Sequence, residues 1–235
     1  MRQSYDTLAW TYDYIYHDKD YKRAAKDLKK IIKKYTKGKD LLEFGCGTGN
    51  FVKEFKEYRC AGVDLHAGML SIARKKVPKA NIYKGDMCSH RINKEFDVIL
   101  CLFSSIGLVG TKRRLQMAIN NFARHLKDDG VIIVEPWFTP SVFKQGYTHY
   151  DCYEDDQLKI ARMSHSRKQG RTSIIDFHHL IGYKDKPVQY VKDIMRAGLF
   201  TVPETLAAFK KAGLYAKHID NGDRGLYVAR KKQAP

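Results

Sequence analysis

The stretch Leu41-Leu42-Glu43-Phe44-Gly45-Cys46-Gly47-Thr48-Gly49-Asn50 joins an apolar run, an acid and three alternate glycines. Apolar residues then recur at helical spacing in Phe51, Val52, Phe55 and Tyr58. This order predicts a buried strand, a tight turn and a helix. Glycines let the backbone adopt positive φ and let a ligand come close, and the helix offers its first N–H groups there. The stretch therefore predicts a small-molecule site, with an ordinary glycine turn as the alternative.

The acid before the glycines narrows the choice of ligand. A dinucleotide-binding G-x-G-x-x-G motif would need a glycine where Asn50 stands, and a P-loop would need a Gly-Lys-Ser/Thr triplet, which does not follow. Glu43 instead closes the strand, and a carboxylate there attracts a positively charged ligand and repels a pyrophosphate. S-adenosylmethionine carries both a sulfonium and an ammonium group, so the stretch predicts this cofactor.

Two further acids follow at the ends of later apolar runs. Asp64 closes Cys60–Leu65 and lies 21 positions after Glu43, about where a ribose-binding acid belongs in a βαβ unit. Asp86 and Met87 follow a short third run and are placed to meet an adenine amino group and its ring face. For each acid alone, capping of the next helix is the alternative. Three acids in this order resemble the pattern of class I S-adenosylmethionine-dependent methyltransferases.

Length and composition limit the kind of protein. The 235 residues are 43% hydrophobic and 12% aromatic, enough for one domain with an insertion and too apolar for a disordered chain. No apolar run approaches a bilayer span and no signal peptide begins the chain, so we expect no membrane partner. Five scattered cysteines without a C-x-x-C motif indicate reduced thiols in a cytoplasmic protein and no metal site.

The formal net charge of +17 indicates either a nucleic-acid partner or an anionic substrate. Much of the excess lies within 20–35, where lysines fill the polar face of an amphipathic helix, and solubility alone explains them. No recognised RNA-binding motif, Arg/Gly tract or basic tail accompanies the charge. The sequence therefore argues against nucleic acid as the partner.

Beyond the loop, predicted strands and helices alternate. Strands are predicted at about 40–45, 59–64, 80–84, 96–102 and 130–135, with helices at about 20–35, 66–76 and 112–126. This alternation predicts a parallel sheet covered by helices on both faces, with ligands at the carboxyl ends of its strands. Residues 1–38 are expected to form an N-terminal helical cover, and 39–137 the cofactor-binding α/β core.

From 146 to 200 the pattern changes to alternating apolar and polar residues. Leu158–Ser166 and Thr172–Gly182 flank Lys168-Gln169-Gly170, which predicts an antiparallel hairpin, and Val188–Phe200 is expected to return as a third strand. A helix at about 203–213 and strands at about 215–219 and 225–230 follow. We therefore expect an inserted antiparallel β-layer over 146–200, inside a single domain of residues 1–235 whose core resumes over 201–231.

Short motifs along the whole chain narrow the comparison. They are Tyr12-Asp13, Lys19-Asp20-Tyr21, Cys46-Gly47-Thr48-Gly49, Gly85-Asp86-Met87, Phe103-Ser104-Ser105-Ile106-Gly107, Glu135-Pro136-Trp137, Arg162-Met163-Ser164-His165-Ser166 and Gly225-Leu226. From about Tyr5 to about Arg230 the chain resembles the nucleotide-linked aminosugar N,N-dimethyltransferases that make desosamine- and mycaminose-type sugars. The resemblance implies the class I methyltransferase fold, a Rossmann-like α/β fold with a mostly parallel seven-stranded sheet, helices on both faces and the inserted layer.

The resemblance also implies site residues. Beside Glu43, Gly45, Cys46, Gly47 and Gly49 of the loop, the implied contacts to S-adenosylmethionine are Tyr5, Tyr21, Asp64, Asp86, Met87 and Leu102. The implied contacts to the sugar nucleotide are Tyr12, Trp137, Arg162, Ser164 and Arg224. Two arginines facing a diphosphate make chemical sense, with surface ion pairs as the alternative for each. Tyr12 is the candidate catalytic residue, steering the amine by hydrogen bonding.

One position departs from the family near the reacting amine. Relatives place a histidine directly after Ser-Ser-Ile-Gly, where this chain has Leu108, and leucine cannot take a proton. Either the base lies elsewhere, none is needed, or the substrate differs. Candidates for a displaced base, with ordinary surface histidines as the alternative, are His149, His165, His178 and His179.

The expected function is S-adenosylmethionine-dependent N-methylation of the amino group of a nucleotide diphosphate-linked deoxy aminosugar. A sulfonium is already a strong methyl donor, so alignment and desolvation could supply most of the acceleration of a direct in-line transfer. The alternatives are methylation of RNA, O-methylation of another small molecule, and binding of the cofactor without catalysis. We expect a cytoplasmic protein, and a homodimer remains open.

Overall fold

The computed structural model describes residues 4–220 and 224–231. The N-terminal helices are α1 (Ser4–Thr7), α2 (Tyr12–Ile15) and α3 (Tyr21–Ile32), with a 3-10 turn at Ala9–Thr11. Further along are α4 (Asn50–Glu54), α5 (Ala67–Lys76), a 3-10 helix at Ser105–Val109, α6 (Lys112–Arg124) and α7 (Val202–Lys211). No helix within the described ranges has both the length and the apolarity to cross a membrane.

The strands form two sheets. In chain order they are β1 (Asp40–Phe44), β2 (Arg59–Asp64), β3 (Asn81–Lys84), β4 (Phe96–Cys101), β5 (Leu126–Val134), β6 (Thr148–Glu154), β7 (Leu158–Gln169), β8 (Thr172–Tyr183), β9 (Gln189–Gly198), β10 (Leu214–Ile219) and β11 (Leu226–Lys231). The first sheet has the order β10-β11-β5-β4-β1-β2-β3, and only β11 runs antiparallel to its neighbours. The second, β6-β7-β8-β9, is antiparallel. The predicted fold class is confirmed.

Helices cover both faces of the first sheet because its strands are apolar on both faces. In β1, Leu42 and Phe44 pack into the core beneath α6 and α7, whereas Leu41 packs into the core beneath α3, α4 and α5. Phe44 stacks on Phe122 of α6 with ring centroids 4.7 Å apart. The carboxyl ends of β1, β2, β3, β4 and β5 therefore meet at one edge of a fully covered sheet, where ligands bind in such folds.

The fifth strand begins earlier than predicted. The sequence indicated a start at Gly130, but β5 spans Leu126–Val134. Leu126 pairs with Phe96, the register then shifts, and the ladder resumes between Val131 and Val98. Polar residues between these two contacts concealed the strand, and one of them, Lys127, bonds to the carboxylates of Asp40 and Asp97.

The second sheet contains the predicted hairpin, β7 and β8, and the predicted third strand, β9. Its edge strand β6 (Thr148–Glu154) was not predicted. The segment reads THYDCYE, and most of its residues are exposed, so it lacks the apolar alternation of a half-buried strand. It forms because β7 offers a free edge, to which it pairs from Thr148 to Glu154.

A polar cluster fastens α2 to the glycine loop. The carboxylate of Asp13 accepts hydrogen bonds from the side chains of Thr48 at 2.7 Å and Asn50 at 2.9 Å. Lys76 at the end of α5 donates to the same carboxylate at 2.6 Å. This Asp13 cluster holds Tyr12, its neighbour on α2, above the loop.

Candidate functional site

A cavity of about 770 Å³ lies between the carboxyl edge of the first sheet and the inner face of the second. The loops after β1, β2 and β3 contribute Gly47, Asp64 and Asp86 to one wall. Arg162 and Ser164 of β7 contribute to the opposite wall, and α1 and α2 close the space above. The volume falls within the ~300–1,000 Å³ typical of small-molecule sites.

The glycine loop presents bare backbone to this cavity. Gly45, Gly47 and Gly49 have φ values of 73°, 53° and 81°, the left-handed region that favours glycine. A Cβ atom at Gly45 would lie 2.6 Å from Cβ of Ser105, whereas a Cβ at Gly47 would meet nothing within 4 Å. The space over Gly47 is therefore open to a ligand. Gly49 is the N-cap of α4 and lies outside the lining, so its contribution is the turn.

Asp64 holds the loop in place. One carboxylate oxygen accepts the backbone N–H of Gly47 at 2.9 Å, and the other accepts that of His66 at 3.0 Å. Burial raises the pKa of Asp64, and these hydrogen bonds work against the shift. A carboxylate oxygen has more than one acceptor site, so Asp64 can still bind hydroxyl groups of a ligand.

Asp86 and Met87 form the far end of the same wall. Burial opposes ionisation of Asp86, but hydrogen bonds from Arg114 at 2.7 Å and from the N–H of Cys88 at 2.8 Å outweigh it and lower the pKa. Asp86 is therefore a fixed, charged acceptor. The half-buried Met87 lies beside it and offers an apolar surface.

A smaller cavity of about 30 Å³ lies beneath the loop, bordered by Tyr21, Glu43, Cys46 and Leu102. Glu43 is only 2% exposed, and its Oε2 has no hydrogen-bond partner within residues 4–220 and 224–231. Burial, followed by the charge of Asp64, raises the pKa of Glu43 well above its usual range. A buried carboxyl group with one oxygen unpaired among the described residues fits the cationic end of a ligand.

The other residues that border the smaller cavity offer a ligand different kinds of contact. Burial raises the pKa of Tyr21 to about 12, so its hydroxyl stays protonated. The Cys46 thiol packs against Gly62 of β2, and burial raises its pKa well above the usual range. Cys46 therefore offers only its backbone, and the buried Leu102 offers only an apolar contact.

Aromatic rings line the opposite side of the large cavity. The ring of Tyr12 lies 4.8 Å from that of Tyr16 and meets Phe103 edge-on at 6.4 Å. Burial raises the pKa of Tyr12 well above its usual range, so its hydroxyl stays neutral. Trp137 is fixed by a 2.8 Å hydrogen bond from Nε1 to Oγ of Ser173. These rings give this side of the cavity an apolar lining.

Both predicted arginines line the cavity, and each is already paired with an acid. Arg162 is 8% exposed and donates to Asp151 through Nε at 2.9 Å and Nη2 at 2.7 Å. Arg224 donates to Ser104 at 2.6 Å and to Glu135 at 3.2 Å. These ion pairs hold the guanidinium groups in place. An anion that binds either arginine through two hydrogen bonds has to compete with the acid already paired to it.

The comparisons with known proteins agree with this arrangement. A family model described as a methyltransferase domain matches residues 41–130. The chain is 35% identical over 222 residues to a dTDP-3-amino-3,4,6-trideoxy-alpha-D-glucopyranose N,N-dimethyltransferase of Streptomyces venezuelae, covering 92% of this chain and 93% of the relative. The chain belongs to the family of dTDP-aminosugar N,N-dimethyltransferases.

Solved structures of such methyltransferases superpose closely. Streptomyces venezuelae DesVI gives a TM-score of 0.90 at 33% identity, covering 96% of this chain and 98% of that one. CalS10, an amino pentose methyltransferase from Micromonospora echinaspora solved with bound S-adenosylmethionine, gives 0.85 at 28% identity, covering 95% and 96%.

Within this methyltransferase, sequence reasoning missed several residues of the cavity. Asp151, Tyr16 and Phe103 surround Arg162 or Tyr12, and Asp193 of β9 also lines the space. Phe103 opens one of the motifs noted in the sequence, but no short motif marks Asp151, Tyr16 or Asp193, because the fold brings them to the site from separate segments. Leu108 does line the cavity and is 41% exposed, so the position that relatives fill with histidine is apolar here.

The four candidate histidines lie on two opposite faces of the second sheet. His149 and His179 line the cavity. His178 lies on the outer face of the second sheet, where its Nδ1 is 2.7 Å from the hydroxyl of Tyr190, and His165 is exposed on the same face. In the part of the chain that the structure describes, no group of three or more His, Cys, Asp or Glu residues could hold a metal ion.

Proposed function

We propose that this methyltransferase uses S-adenosylmethionine to methylate the amino group of a nucleotide diphosphate-linked deoxy aminosugar. One observation carries the proposal. A single cavity of about 770 Å³ joins a wall of acids and bare glycine backbone to a wall of arginines and aromatic rings. The first wall suits a cationic nucleoside, and the second suits an anionic sugar nucleotide.

The residues of the first wall fit S-adenosylmethionine. The cofactor supplies a methyl group that its sulfonium charge has already activated. Asp64 offers acceptor oxygens for ribose hydroxyls, and Asp86 with Met87 offers an acceptor and an apolar face for adenine. Glu43 offers a buried carboxyl group whose Oε2 has no hydrogen-bond partner in the part of the chain that the structure describes, matching the positive end of the methionine moiety. The relative CalS10, whose fold this chain shares, binds S-adenosylmethionine.

The residues of the second wall fit a sugar nucleotide. Arg162 and Arg224 present guanidinium groups held by Asp151 and Glu135, so little side-chain freedom is lost when an anion binds. Trp137 lies beside Arg224, whose guanidinium carbon is 6.0 Å from its ring centroid. The relative from Streptomyces venezuelae acts on a dTDP-linked 3-aminosugar, which carries such a diphosphate.

The chemistry asks the protein mainly to align and to exclude water. The acceptor amine must arrive without its proton, and its lone pair must point at the methyl carbon. Tyr12 hydrogen-bonds the amine through its neutral hydroxyl and so orients it, while α1 and α2 close the cavity. Leu108 takes no proton, so the substrate ammonium loses one proton to solvent before transfer, and the methylated ammonium that forms loses another to solvent afterwards.

The test is turnover of a defined acceptor. The purified chain is incubated with S-adenosylmethionine and dTDP-3-amino-3,4,6-trideoxyglucose, and the products are weighed by mass spectrometry. We expect the mass of one or two added methyl groups, with no product from dTDP-glucose, which lacks the amine. Methylation of RNA or of a sugar hydroxyl instead, or tight cofactor binding without any product, would contradict the proposal.

A further inference from the structure

His179 is a buried histidine on the inner face of the second sheet. It lies in the middle of β8 and lines the large cavity, although it is only 4% exposed. Strand pairing places Arg162 of β7 opposite it on one side and Val191 of β9 on the other. The ladder therefore sets its position on the wall of the cavity.

One ring nitrogen of His179 has no partner. The Nδ1 atom is buried and forms no hydrogen bond with any residue that the structure describes. Buried polar atoms are nearly always hydrogen-bonded, and an apolar side chain at this place would avoid the loss entirely. The neighbouring His178, on the opposite face, does have a partner in Tyr190. Because His179 lines the cavity, a ligand bound there is the nearest group outside the described chain that could supply the missing partner.

The charges around His179 keep it neutral. The charged and titratable groups that act on it are Arg162 of β7 with Asp151 of β6, and Asp193 of β9, while the adjacent His178 acts from the opposite face of the sheet. Burial, then the positive charge of Arg162, lowers the pKa of His179 to about 4. Near neutral pH the ring is uncharged, with one nitrogen donating and the other accepting.

Building on the proposed function, we propose that His179 recognises the acceptor by hydrogen-bonding a hydroxyl group of its sugar. A hydroxyl both donates and accepts, so it satisfies Nδ1 in either tautomer of the neutral ring. A phosphate would find no proton there in one tautomer, and Arg162 beside it is better suited to that group. His179 is thus a specificity-determining residue, and it takes no proton from the amine.

The experiment compares His179→Phe and His179→Asn with the matched control His178→Phe, using the full chain, S-adenosylmethionine and the dTDP-aminosugar. We expect His179→Phe to raise KM for the sugar nucleotide roughly tenfold, the loss of one hydrogen bond to a buried partner. His179→Asn, which keeps a polar atom near the position of Nδ1, should recover most of that loss. The control should leave KM unchanged.

Three further readouts separate recognition from a structural or basic role. Cofactor affinity by calorimetry should stay within about twofold of wild type, because the effect is confined to the acceptor. The thermal midpoint of His179→Phe should be equal or higher, because the substitution removes an unsatisfied buried nitrogen. The pH profile of kcat/KM should keep its shape.

Contrary results are equally distinct. An unchanged KM in His179→Phe would remove the acceptor contact, and lower thermal midpoints in both His179 variants would make the residue structural. A fall in kcat of about a hundredfold with a lost limb in the pH profile would make it a base. If the wild-type chain itself methylates no aminosugar, the proposed function fails first and this inference fails with it.

Discussion

One wall of the cavity comes from a single region of the chain, and the other comes from several separate segments. The wall proposed to hold the cofactor comes mainly from residues 43–87, one run of strands and loops at a single sheet edge. The wall proposed to hold the acceptor joins side chains from α2, β6, β7, β8, β9 and the segment before β11. The first relies on backbone and carboxylates, and the second on rings and paired arginines.

The difference also appears in the charges. Glu43 is buried, its pKa is raised, and its Oε2 has no hydrogen-bond partner among the described residues, so its wall favours a ligand that brings positive charge. Arg162 and Arg224 are instead already paired with acids, Asp151 and Glu135 respectively. The first wall is therefore suited to a cationic ligand. The affinity of the second wall for an anion can instead be altered by substituting either member of an ion pair. Substitutions that act on one wall alone test this division.

The largest effect is expected from Asp64→Ala. The substitution removes the acceptor of the Gly47 and His66 N–H groups as well as the contact proposed for the cofactor. We expect S-adenosylmethionine to bind about 30-fold more weakly or worse, the scale of a lost charge-assisted hydrogen bond. Calorimetry measures the change, and Asp27→Ala, which removes an exposed acid on α3, is the control. An unchanged Kd would take Asp64 out of the cofactor wall.

Arg224→Ala should act on the other wall. We expect KM for the sugar nucleotide to rise about tenfold with cofactor affinity nearly intact, because only acceptor binding loses a guanidinium. Adding Glu135→Gln removes the carboxylate that would otherwise stay unpaired beside the anion. Arg167→Ala, on the outer face of the second sheet, is the matched control. Equal losses of cofactor and acceptor binding would show that the walls are not separate.

Asp13→Ala should weaken both walls together. It breaks the Asp13 cluster that holds α2 against the glycine loop, losing bonds to Thr48, Asn50 and Lys76. Because the cluster is partly exposed, we expect the free energy of unfolding to fall by ~1–2 kcal/mol. Cofactor Kd and acceptor KM should rise by a similar factor, about threefold, in proportion to that loosening. Asp13→Asn, which keeps the acceptor but loses the charge, should fall between. A change confined to one ligand would argue against a shared cover.

The smallest effect is expected from Leu108→His. If the amine only has to arrive neutral and aligned, restoring the family histidine should change the maximal kcat by less than about threefold. In both proteins kcat/KM should follow the free-amine fraction of the substrate as pH rises. A gain of about a hundredfold, the scale of general-base catalysis, would instead mean that the leucine deprives the site of a base.

The sequence predicted more of the cofactor wall than of the acceptor wall. The glycine loop, Asp64 and Asp86 could be placed because each follows an apolar run whose type and length predict a buried parallel strand. The hairpin of β7 and β8 was also predictable from alternation. Strand β6 was not, because an exposed edge strand lacks a distinctive pattern, and with it Asp151 and the Arg162 pair stayed hidden.

The adjacent histidines of β8 illustrate the limit. Alternation in a strand requires that His178 and His179 point to opposite faces, but it does not say which face is covered. The packing of α1 and α2 against the second sheet decided that His179 is inside and His178 outside. Of the four candidate histidines, this packing buries His179 and leaves its Nδ1 without a partner among the described residues.

By itself the sequence determined the order of the strands and helices other than the edge strand β6, the position of the glycine loop and the acids that follow it, because these depend on local periodicity and on backbone freedom at glycine. Only the tertiary structure decided the partners of Arg162 and Arg224, the burial of Glu43 with an Oε2 unpaired within the described chain and the burial of His179. Those properties depend on contacts between residues far apart in the chain, and on the exclusion of water from a cavity that exists only after both sheets have packed.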